Sequence, residues 1–145
     1  MLNVYGIANC DSVSAARRWL KEHGIAHEFH DLRKEHVDAQ TLEHWLATLG
    51  RERLVNKSSA TWRTLERSQR EQVESGNPVP MLIANPTLIK RPVLVDDGFA
   101  VWDTLAITEY LHEKFPALGV WPATPRERAR ARSLCAEMHA GFGAL

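Results

Sequence analysis

The sequence predicts an α/β protein with a four-stranded mixed sheet and helices on its faces. Three observations predict this class: a strand–helix–strand pattern in the first 32 residues, a mostly helical stretch over about 38–90, and two strands followed by a helix over 92–114. A strand–helix–strand unit requires a parallel pair joined by a right-handed crossover. Two strands joined by a tight turn add an antiparallel pair, so the sheet is mixed.

The first predicted unit is the strand–helix–strand pattern. Residues 2–5 form a short apolar run before a glycine, which is typical of a buried strand. The next segment is a helix that Asp11 or Ser12 can cap and that Gly24 ends. Residues 25–32 alternate between apolar and polar side chains, and this alternation predicts a second strand.

The middle of the chain is predicted to be a helical insert over about 38–90. Asp38 caps a helix over about 39–49, in which the leucines and Trp45 share one face. Further short helices are predicted around Leu54, over 62–65 and over 79–84. The polar stretch 67–76 carries no apolar stripe, so it is predicted to be a connection.

The second predicted unit is a hairpin followed by a helix. The apolar runs 92–95 and 99–102 are joined by Asp96-Asp97-Gly98, and Asp-Gly between such runs is a strong hairpin signal. A helix follows over about 104–114. This order of elements, with the insert between the second and third strands, is that of the thioredoxin-like fold, and we expect residues 1–114 to form this domain.

The C-terminal segment is predicted to be a linker and one amphipathic helix. Residues 115–123 contain Pro and Gly and form the linker, and residues 124–145 form the helix. Thr124 caps this helix, Pro125 occupies its first position, and Glu127 completes a capping box. Because a lone amphipathic helix needs a partner surface, we expect it to dock on its own domain or to pair two chains in a homodimer.

Composition excludes several classes of protein. Lys+Arg and Asp+Glu both number 18, and this balance argues against a nucleic-acid partner. No apolar run approaches the roughly 20 residues of a membrane span, which argues against a membrane partner. The N-terminal residues lack the basic start and apolar core of a signal peptide, and Cys10 and Cys135 stand far apart. We therefore expect a cytoplasmic protein with two free thiols.

Cys10 is the leading catalytic candidate. It follows the first strand and directly precedes a predicted helix, where unpaired N–H groups and the helix dipole favour the thiolate. A thiolate can attack a disulfide, an oxyanion such as arsenate, or an electrophilic carbon. The alternative is a small buried hydrophobic residue. Position 13 is Val13, so there is no C-x-x-C pair, and a redox cycle needs a second thiol such as that of glutathione.

Two positively charged residues can support this thiol. Arg91 precedes Pro92 at the start of the third strand, and an X-Pro bond here can be cis. Arg91 can then stabilise an oxyanion or the thiolate, or it can be a solvated arginine at a strand end. Lys57 can supply a second cation, although taken alone it is typical of a surface lysine.

Asp103 and Thr104 stand at the start of the helix after the hairpin. An acid and a hydroxyl there usually cap the helix, and the sequence alone favours that interpretation. The functional alternative is a seat for the amino and carboxylate groups of an amino-acid-like ligand. No metal site is predicted, because the spacing of the four histidines between positions 23 and 36 fits no tetrahedral ligand set.

The N-terminal two thirds of the chain resemble a known family. Residues 2 to about 95 are similar to the arsenate reductase/Spx family in the stretches YGIANCDSVSAARRWL, LVNKSSATWRTL and NPTLIKRPVLV. The resemblance implies that Cys10 is the catalytic cysteine, Arg91 the oxyanion-binding arginine and Pro92 the cis-proline. Lys57 occupies a position where arsenate reductases have a second arginine, which departs from their pattern. The absence of a second cysteine near Cys10 departs from the pattern of Spx regulators.

Residues from about 95 to 145 resemble a glutathione S-transferase. The stretch DDGFAVWDTLAITEYLHEKFPALGVWPATPRERARARSLCAEMHAGFGAL carries this resemblance. It implies that Asp103 and Thr104 hold the γ-glutamyl end of glutathione, and that the last helix corresponds to the first helix of the transferase's helical domain. Two families in one chain indicate a chimera, natural or recombinant, joined within a shared thioredoxin fold.

These resemblances lead to three functional hypotheses. The first is a glutathione-dependent thiol reductase or transferase, in which Cys10 forms a mixed disulfide with glutathione and Pro92, Asp103 and Thr104 hold the tripeptide. The second is an Spx-like module that binds a protein partner without turnover. The third is a recombinant chimera that folds without activity. Ordinary reactivity of Cys10, together with no saturable glutathione binding, would favour the second or the third.

Overall fold

The computed structural model describes residues 1–139 and confirms the predicted fold class, a four-stranded mixed sheet with helices. The strands are β1 (Leu2–Gly6), β2 (His27–Asp31), β3 (Val93–Asp96) and β4 (Phe99–Trp102). They form one sheet in the order β2-β1-β3-β4. Each strand lies at a position that the apolar runs and the Asp-Gly turn predict.

Most of the described chain outside the sheet is helical. Within residues 1–139, the α-helices are α1 (Asp11–Glu22), α2 (Ala39–Leu49), α3 (Arg51–Leu54), α4 (Ala60–Thr64), α5 (Arg67–Glu74), α6 (Val79–Ala84), α7 (Thr104–Lys114) and α8 (Pro125–His139). Short 3-10 helices lie at Pro86–Leu88 and Pro116–Leu118. In the described part of the chain, no helix combines the length and apolar character that crossing a membrane requires.

The register of the sheet brings the end of β1, the start of β3 and the end of β4 to the same edge. β1 runs parallel to β2 and antiparallel to β3, and β4 returns antiparallel to β3. Tyr5 pairs with Val93 at the start of β3, and Val93 pairs with Trp102 at the end of β4. The end of β1, the start of β3 and the end of β4 therefore lie side by side. We name this edge the Cys10 edge, because Cys10 follows β1 there.

The β3–β4 hairpin has the turn that its sequence predicts. Asp97 and Gly98 both have positive φ angles, 47° and 85°. A two-residue turn with two positive φ angles matches the right-handed twist of the flanking strands, and Asp-Gly adopts it readily. This turn fixes the register that places Trp102 opposite Val93.

The chain divides into two compact units after Trp102. The first unit is Met1–Trp102 and the second is Asp103–Leu145. This division falls within the range 1–114 that the sequence predicts as one domain. The sheet, α1 and all the helices of the insert belong to the first unit.

The main core of the first unit lies between the sheet and the insert. Val93 and Ala100 on one sheet face pack in the same cluster as the apolar residues of the insert. The largest fully buried side chains of the insert are Trp45, Leu42, Leu49, Leu54, Leu82, Leu88 and Ile89. Burial of their apolar surface stabilises the insert against the sheet, at about 25 cal/mol per Å² removed from water.

Helix α5 corrects the expectation of a connection over 67–76. It begins with a capping box, in which the Glu66 side chain accepts from backbone and the Gln69 side chain accepts from the Glu66 N–H at 2.9 Å. Val73 is its single fully buried side chain. One buried residue produces no apolar periodicity, which explains why the sequence pattern does not reveal the helix.

The second unit contains α7 and α8, joined by an ion pair. Arg132 of α8 donates to both carboxylate oxygens of Glu109 in α7, each at 2.6 Å, and its guanidinium lies 5.7 Å from the centre of the Trp121 ring. The Thr124 Oγ1 accepts from the Glu127 N–H at 3.4 Å and donates to its carboxylate at 2.7 Å. Thr124 therefore caps α8 as predicted.

Helix α8 exposes apolar side chains. The homodimer that the sequence analysis expects through this helix stays a prediction. Leu134 and Met138 are 55% and 66% exposed. The helix is predicted to continue to residue 145, but the end of that range, with Phe142 and Leu145, lies outside the described residues.

Candidate functional site

Cys10 lies at the N-cap of α1, at the edge named for it. Its N–H donates to the Ile7 carbonyl at 3.0 Å, and its own carbonyl accepts from the Ser14 N–H at 2.9 Å. The thiol is free and half-buried, and it packs against the main core without making a capping hydrogen bond. The sulfur therefore remains available for chemistry.

The loop that carries Cys10 is fixed by close packing and by one side-chain hydrogen bond. Gly6 ends β1 where α1 approaches it, and a Cβ at Gly6 would lie 2.6 Å from a Val13 methyl carbon. Ser14 Oγ donates back to the Ala8 carbonyl at 3.0 Å. The N-terminus of α1 carries a partial positive charge that favours an anion there, while the neighbouring Asp11 adds a negative charge in the same turn.

Pro92 lies beside this loop, at the start of β3. The Arg91–Pro92 peptide bond is cis, as the resemblance implies. Pro92 is buried and precedes Val93, the residue that pairs with Tyr5 at the end of β1. The backbone at position 91 is therefore adjacent to the strand end from which Cys10 emerges.

The Arg91 side chain is held in place by carbonyl oxygens and not by a carboxylate. Its guanidinium donates to the carbonyl oxygens of Ile89 at 3.1 Å and Thr87 at 3.3 Å. Its Nε is buried, and among residues 1–139 it has no hydrogen-bond partner. No carboxylate in that part of the chain forms an ion pair with this arginine. An anion that reaches the guanidinium could therefore neutralise its charge.

Lys57 lies in a different electrostatic environment. Its ammonium pairs with Glu74 at 3.0 Å and Glu52 at 3.4 Å, and it lies 5.7 Å from the Trp62 ring centre. The hydrogen bond to Glu74, supported by Glu52, holds the pKa of Lys57 above its usual value. Two carboxylates thus already neutralise this cation. These ion pairs give Lys57 a structural role within the helical insert.

Another basic residue, Arg53, belongs to a segment that is hydrogen-bonded to the segment of Arg91. The Lys90 N–H donates to the Leu54 carbonyl at 2.8 Å, so the segment that carries Arg53 runs beside the one that carries Arg91. No local pattern in the sequence links positions 53 and 91, so Arg53 is not among the predicted site residues. The only sequence signal is that Arg53 belongs to the same predicted insert.

Asp103 and Thr104 belong to the second unit and start its first helix. An Asp103 carboxylate oxygen accepts from the Leu105 N–H at 2.9 Å, which is the capping role that the sequence alone favours. The φ angle of Asp103 is 73°, a left-handed conformation that non-glycine residues seldom adopt. A role for the pair in holding glutathione stays a prediction.

Three of the four histidines between positions 23 and 36 bond to neighbouring groups. His23 and His27 contact the carbonyls of Trp19 and Ile25 through Nδ1. His30 is half-buried and bonds to Glu35 and Asn3 through its two ring nitrogens. Among residues 1–139, no three His, Cys, Asp or Glu side chains are grouped to hold a metal ion.

The family of the chain follows from a comparison with family models. The ArsC family model matches residues 5–101. The chain belongs to the ArsC family. The match includes Cys10 and Arg91 and continues through most of β4, beyond the boundary near residue 95 that the resemblance suggested.

Similar proteins cover most of the chain. An uncharacterized protein of Haemophilus influenzae is 42% identical over 101 residues, which are 70% of this chain and 89% of that protein. The structure described as YFFB protein has a TM-score of 0.66 at 29% identity, covering 81% of this chain and 97% of its own. An arsenate reductase (ArsC) related protein from Brucella melitensis has a TM-score of 0.59 at 38% identity, covering 76% and 93%.

Two other kinds of relative match more weakly. The global transcriptional regulator Spx 2 of Oceanobacillus iheyensis is 26% identical over 98 residues, 66% of this chain and 71% of that protein. A probable glutathione S-transferase of Solanum tuberosum is 34% identical over 62 residues, 43% of this chain and 28% of the transferase. So short a match only hints at a transferase-like segment, and the chimera stays a hypothesis.

Proposed function

We propose that this ArsC-family chain is a glutathione-dependent thiol reductase whose nucleophile is Cys10. The observation that carries the proposal is Arg91, a half-buried arginine that has no counter-ion among residues 1–139 and stands next to a cis-proline at the Cys10 edge. A thiol at a helix N-terminus, on the same edge of the sheet as a guanidinium whose partners are only carbonyl oxygens, is suited to react with an anion. Lys57 is left out of the proposal, because Glu52 and Glu74 already neutralise it.

The proposed reaction is the two-electron reduction of an oxyanion. The Cys10 thiolate attacks the central atom, and one oxygen leaves as water after protonation. A glutathione thiolate then attacks the Cys10 sulfur, and the electron pair of the breaking bond passes to the central atom, which is reduced. Cys10 is left as a mixed disulfide with glutathione. A second glutathione thiolate attacks the glutathione sulfur, which releases the Cys10 thiolate and oxidised glutathione.

Each supporting residue has a separate role in this scheme. Arg91 stabilises the negative charge of the oxyanion during attack, which a preorganised cation does without reorganising. The backbone beside Pro92 pairs with the extended peptide of glutathione. Asp103 and Thr104 hold the γ-glutamyl end, where the N-terminus of α7 supplies N–H groups. Val13 stands where a C-x-x-C motif would have its second cysteine, so the second thiol comes from glutathione.

Arsenate reduction in the presence of glutathione tests this proposal. The full-length protein should form arsenite, Cys10→Ser should form none, and Cys135→Ser should match the wild type, because Cys135 is an exposed thiol of α8. Equal activity in Cys10→Ser and the wild type would contradict the proposal. Loss of activity in Cys135→Ser would contradict the assignment of the nucleophile.

A second candidate function is an Spx-like regulator that binds a protein partner without turnover. It is supported by the 26% identity to a global transcriptional regulator over 66% of this chain. The two candidates differ in the reactivity of Cys10. A regulator of this kind predicts no arsenite formation and no saturable dependence of Cys10 modification on glutathione.

A further inference from the structure

We propose that Arg53, lying over Trp102, binds a carboxylate of the thiol co-substrate and makes the site selective for anionic thiols and disulfides. This inference rests on the proposed function and assigns part of its substrate selectivity. It concerns the first unit alone, since Arg53, Trp102, Pro92 and Cys10 all belong to it.

Trp102 places this arginine at the Cys10 edge. Trp102 ends β4 and pairs with Val93, the residue after the cis-proline. The Arg53 guanidinium carbon lies 5.8 Å from the centre of the Trp102 ring. In the strand order β1-β3-β4, the loop that leads to Cys10, Pro92 and the Arg53–Trp102 pair therefore lie at the same edge of the sheet.

The charge of Arg53 is available to a ligand. The side chain is exposed, and its Nη1 makes one long hydrogen bond, 3.4 Å, to the Leu49 carbonyl. No carboxylate within residues 1–139 forms an ion pair with it. The aromatic face orients the guanidinium and leaves Nε and Nη2 available, and a planar guanidinium recognises a carboxylate through two parallel hydrogen bonds.

The spacing across the sheet suits a short peptide bonded to Cys10. Adjacent strands lie about 4.8 Å apart, so the end of β4 is about 10 Å from the end of β1. A disulfide holds its two Cα atoms about 5.5–6 Å apart, and one further extended residue adds about 3.5 Å. A carboxylate one residue from the partner cysteine thus reaches about 9 Å from the Cα of Cys10, which is comparable with the spacing between the ends of β1 and β4.

The simpler alternative is that Arg53 only packs its aliphatic stem on Trp102. Arginine stems often cover apolar surface in this way while the charged head faces water. The two interpretations predict different behaviour for Arg53→Met, which keeps an unbranched apolar stem and removes the charge. Packing alone predicts no change in selectivity, whereas carboxylate binding predicts a loss of selectivity.

Mixed-disulfide formation with three small disulfides tests the inference on the full-length protein. Oxidised glutathione carries carboxylates, hydroxyethyl disulfide is neutral, and cystamine is cationic. In each case the Cys10 thiolate attacks one sulfur, a new S–S bond forms, and one thiolate leaves. The rate of modification of the Cys10 peptide is followed by mass spectrometry.

The wild type should react faster with oxidised glutathione than with the neutral disulfide, and more slowly with cystamine. Arg53→Gln and Arg53→Met should each lower the rate with oxidised glutathione by about fivefold to tenfold, the loss expected for one charged hydrogen bond. Their rates with hydroxyethyl disulfide should stay unchanged. Arg18→Gln is the matched control, because Arg18 is exposed on α1 about 12 Å along the helix from Cys10.

The outcomes separate the two proposals. Unchanged selectivity in Arg53→Gln and Arg53→Met, with Cys10 still reacting with oxidised glutathione, overturns the role of Arg53 and leaves the proposed function intact. An equal loss of rate with all three disulfides also overturns it, because a carboxylate-binding residue acts only on the anionic one. No modification of Cys10 by any of the three overturns both proposals.

Discussion

Arg91 and Lys57 differ in what surrounds their charges. Arg91 is held by two carbonyl oxygens, and its buried Nε has no partner within the described residues. Lys57 is held by two carboxylates and lies near an aromatic ring. The sequence offers both as candidate cations for one site. Only Arg91 keeps an uncompensated charge, so counter-ions decide which cation can bind an anion.

This difference is tested most strongly by neutralising each cation in turn. Arg91→Gln should lower kcat/KM for arsenate by about 100-fold, the loss typical of removing a preorganised donor from an oxyanion site. Lys57→Gln should change it little, because its charge is already neutralised. Arsenite formation at saturating glutathione, measured for both variants, checks this prediction.

Thermal unfolding of both variants is the control for this comparison. Both should retain the cooperative unfolding of the wild type. A large loss of activity in Lys57→Gln with a normal Tm would contradict the distinction drawn here and return Lys57 to the site. An unchanged kcat/KM in Arg91→Gln would remove the observation that carries the proposed function.

The environment of Lys57 depends on helix α5, which a core substitution can test. Val73 is fully buried, so Val73→Ala should lower the free energy of unfolding by about 2 kcal/mol, through lost apolar contact and the cavity that remains. Gln72→Ala on the exposed face of the same helix should change it much less. Urea unfolding measures both. Equal and small effects would mean that α5 does not pack as described.

The ion pairs of Lys57 predict a weak dependence of stability on pH at the alkaline end. Glu74 and Glu52 raise the pKa of Lys57 above its usual value of 10.5, so folding favours the protonated amine. This stabilisation is fully present below pH 10.5 and disappears as the pH rises through the raised pKa. The difference in Tm between the wild type and Lys57→Gln should therefore be constant near neutral pH and shrink above pH 10.5. A difference that grows with pH would contradict this assignment.

Local signals in the sequence predict most of the elements of the fold. Asp-Gly predicts the hairpin, and Asp38 and Thr124 predict the starts of α2 and α8, because each signal acts within a few residues. Helix α5 has no such signal, since a single buried valine gives no periodicity. The main partner of Lys57 is hidden in the same way, because Glu74 ends α5.

The candidate site is harder to predict from the sequence than the fold. Cys10, Arg91 and Pro92 could be selected because a strand end, a helix start and an X-Pro bond are local features. The lack of a counter-ion for Arg91 among residues 1–139 could not be predicted, since it depends on where each carboxylate lies in the folded protein. Arg53 was not found for the same reason, because its contact with Trp102 joins residues 49 positions apart.

The most direct test of the central claim is the peptide-resolved mass of the protein after exposure to oxidised glutathione near neutral pH. Cys135 is the internal control, because it is an exposed thiol in the same chain. We predict selective and saturable glutathionylation of Cys10, with little modification of Cys135. Equal and slow modification of both cysteines would contradict the claim that the Cys10 edge is an active thiol site.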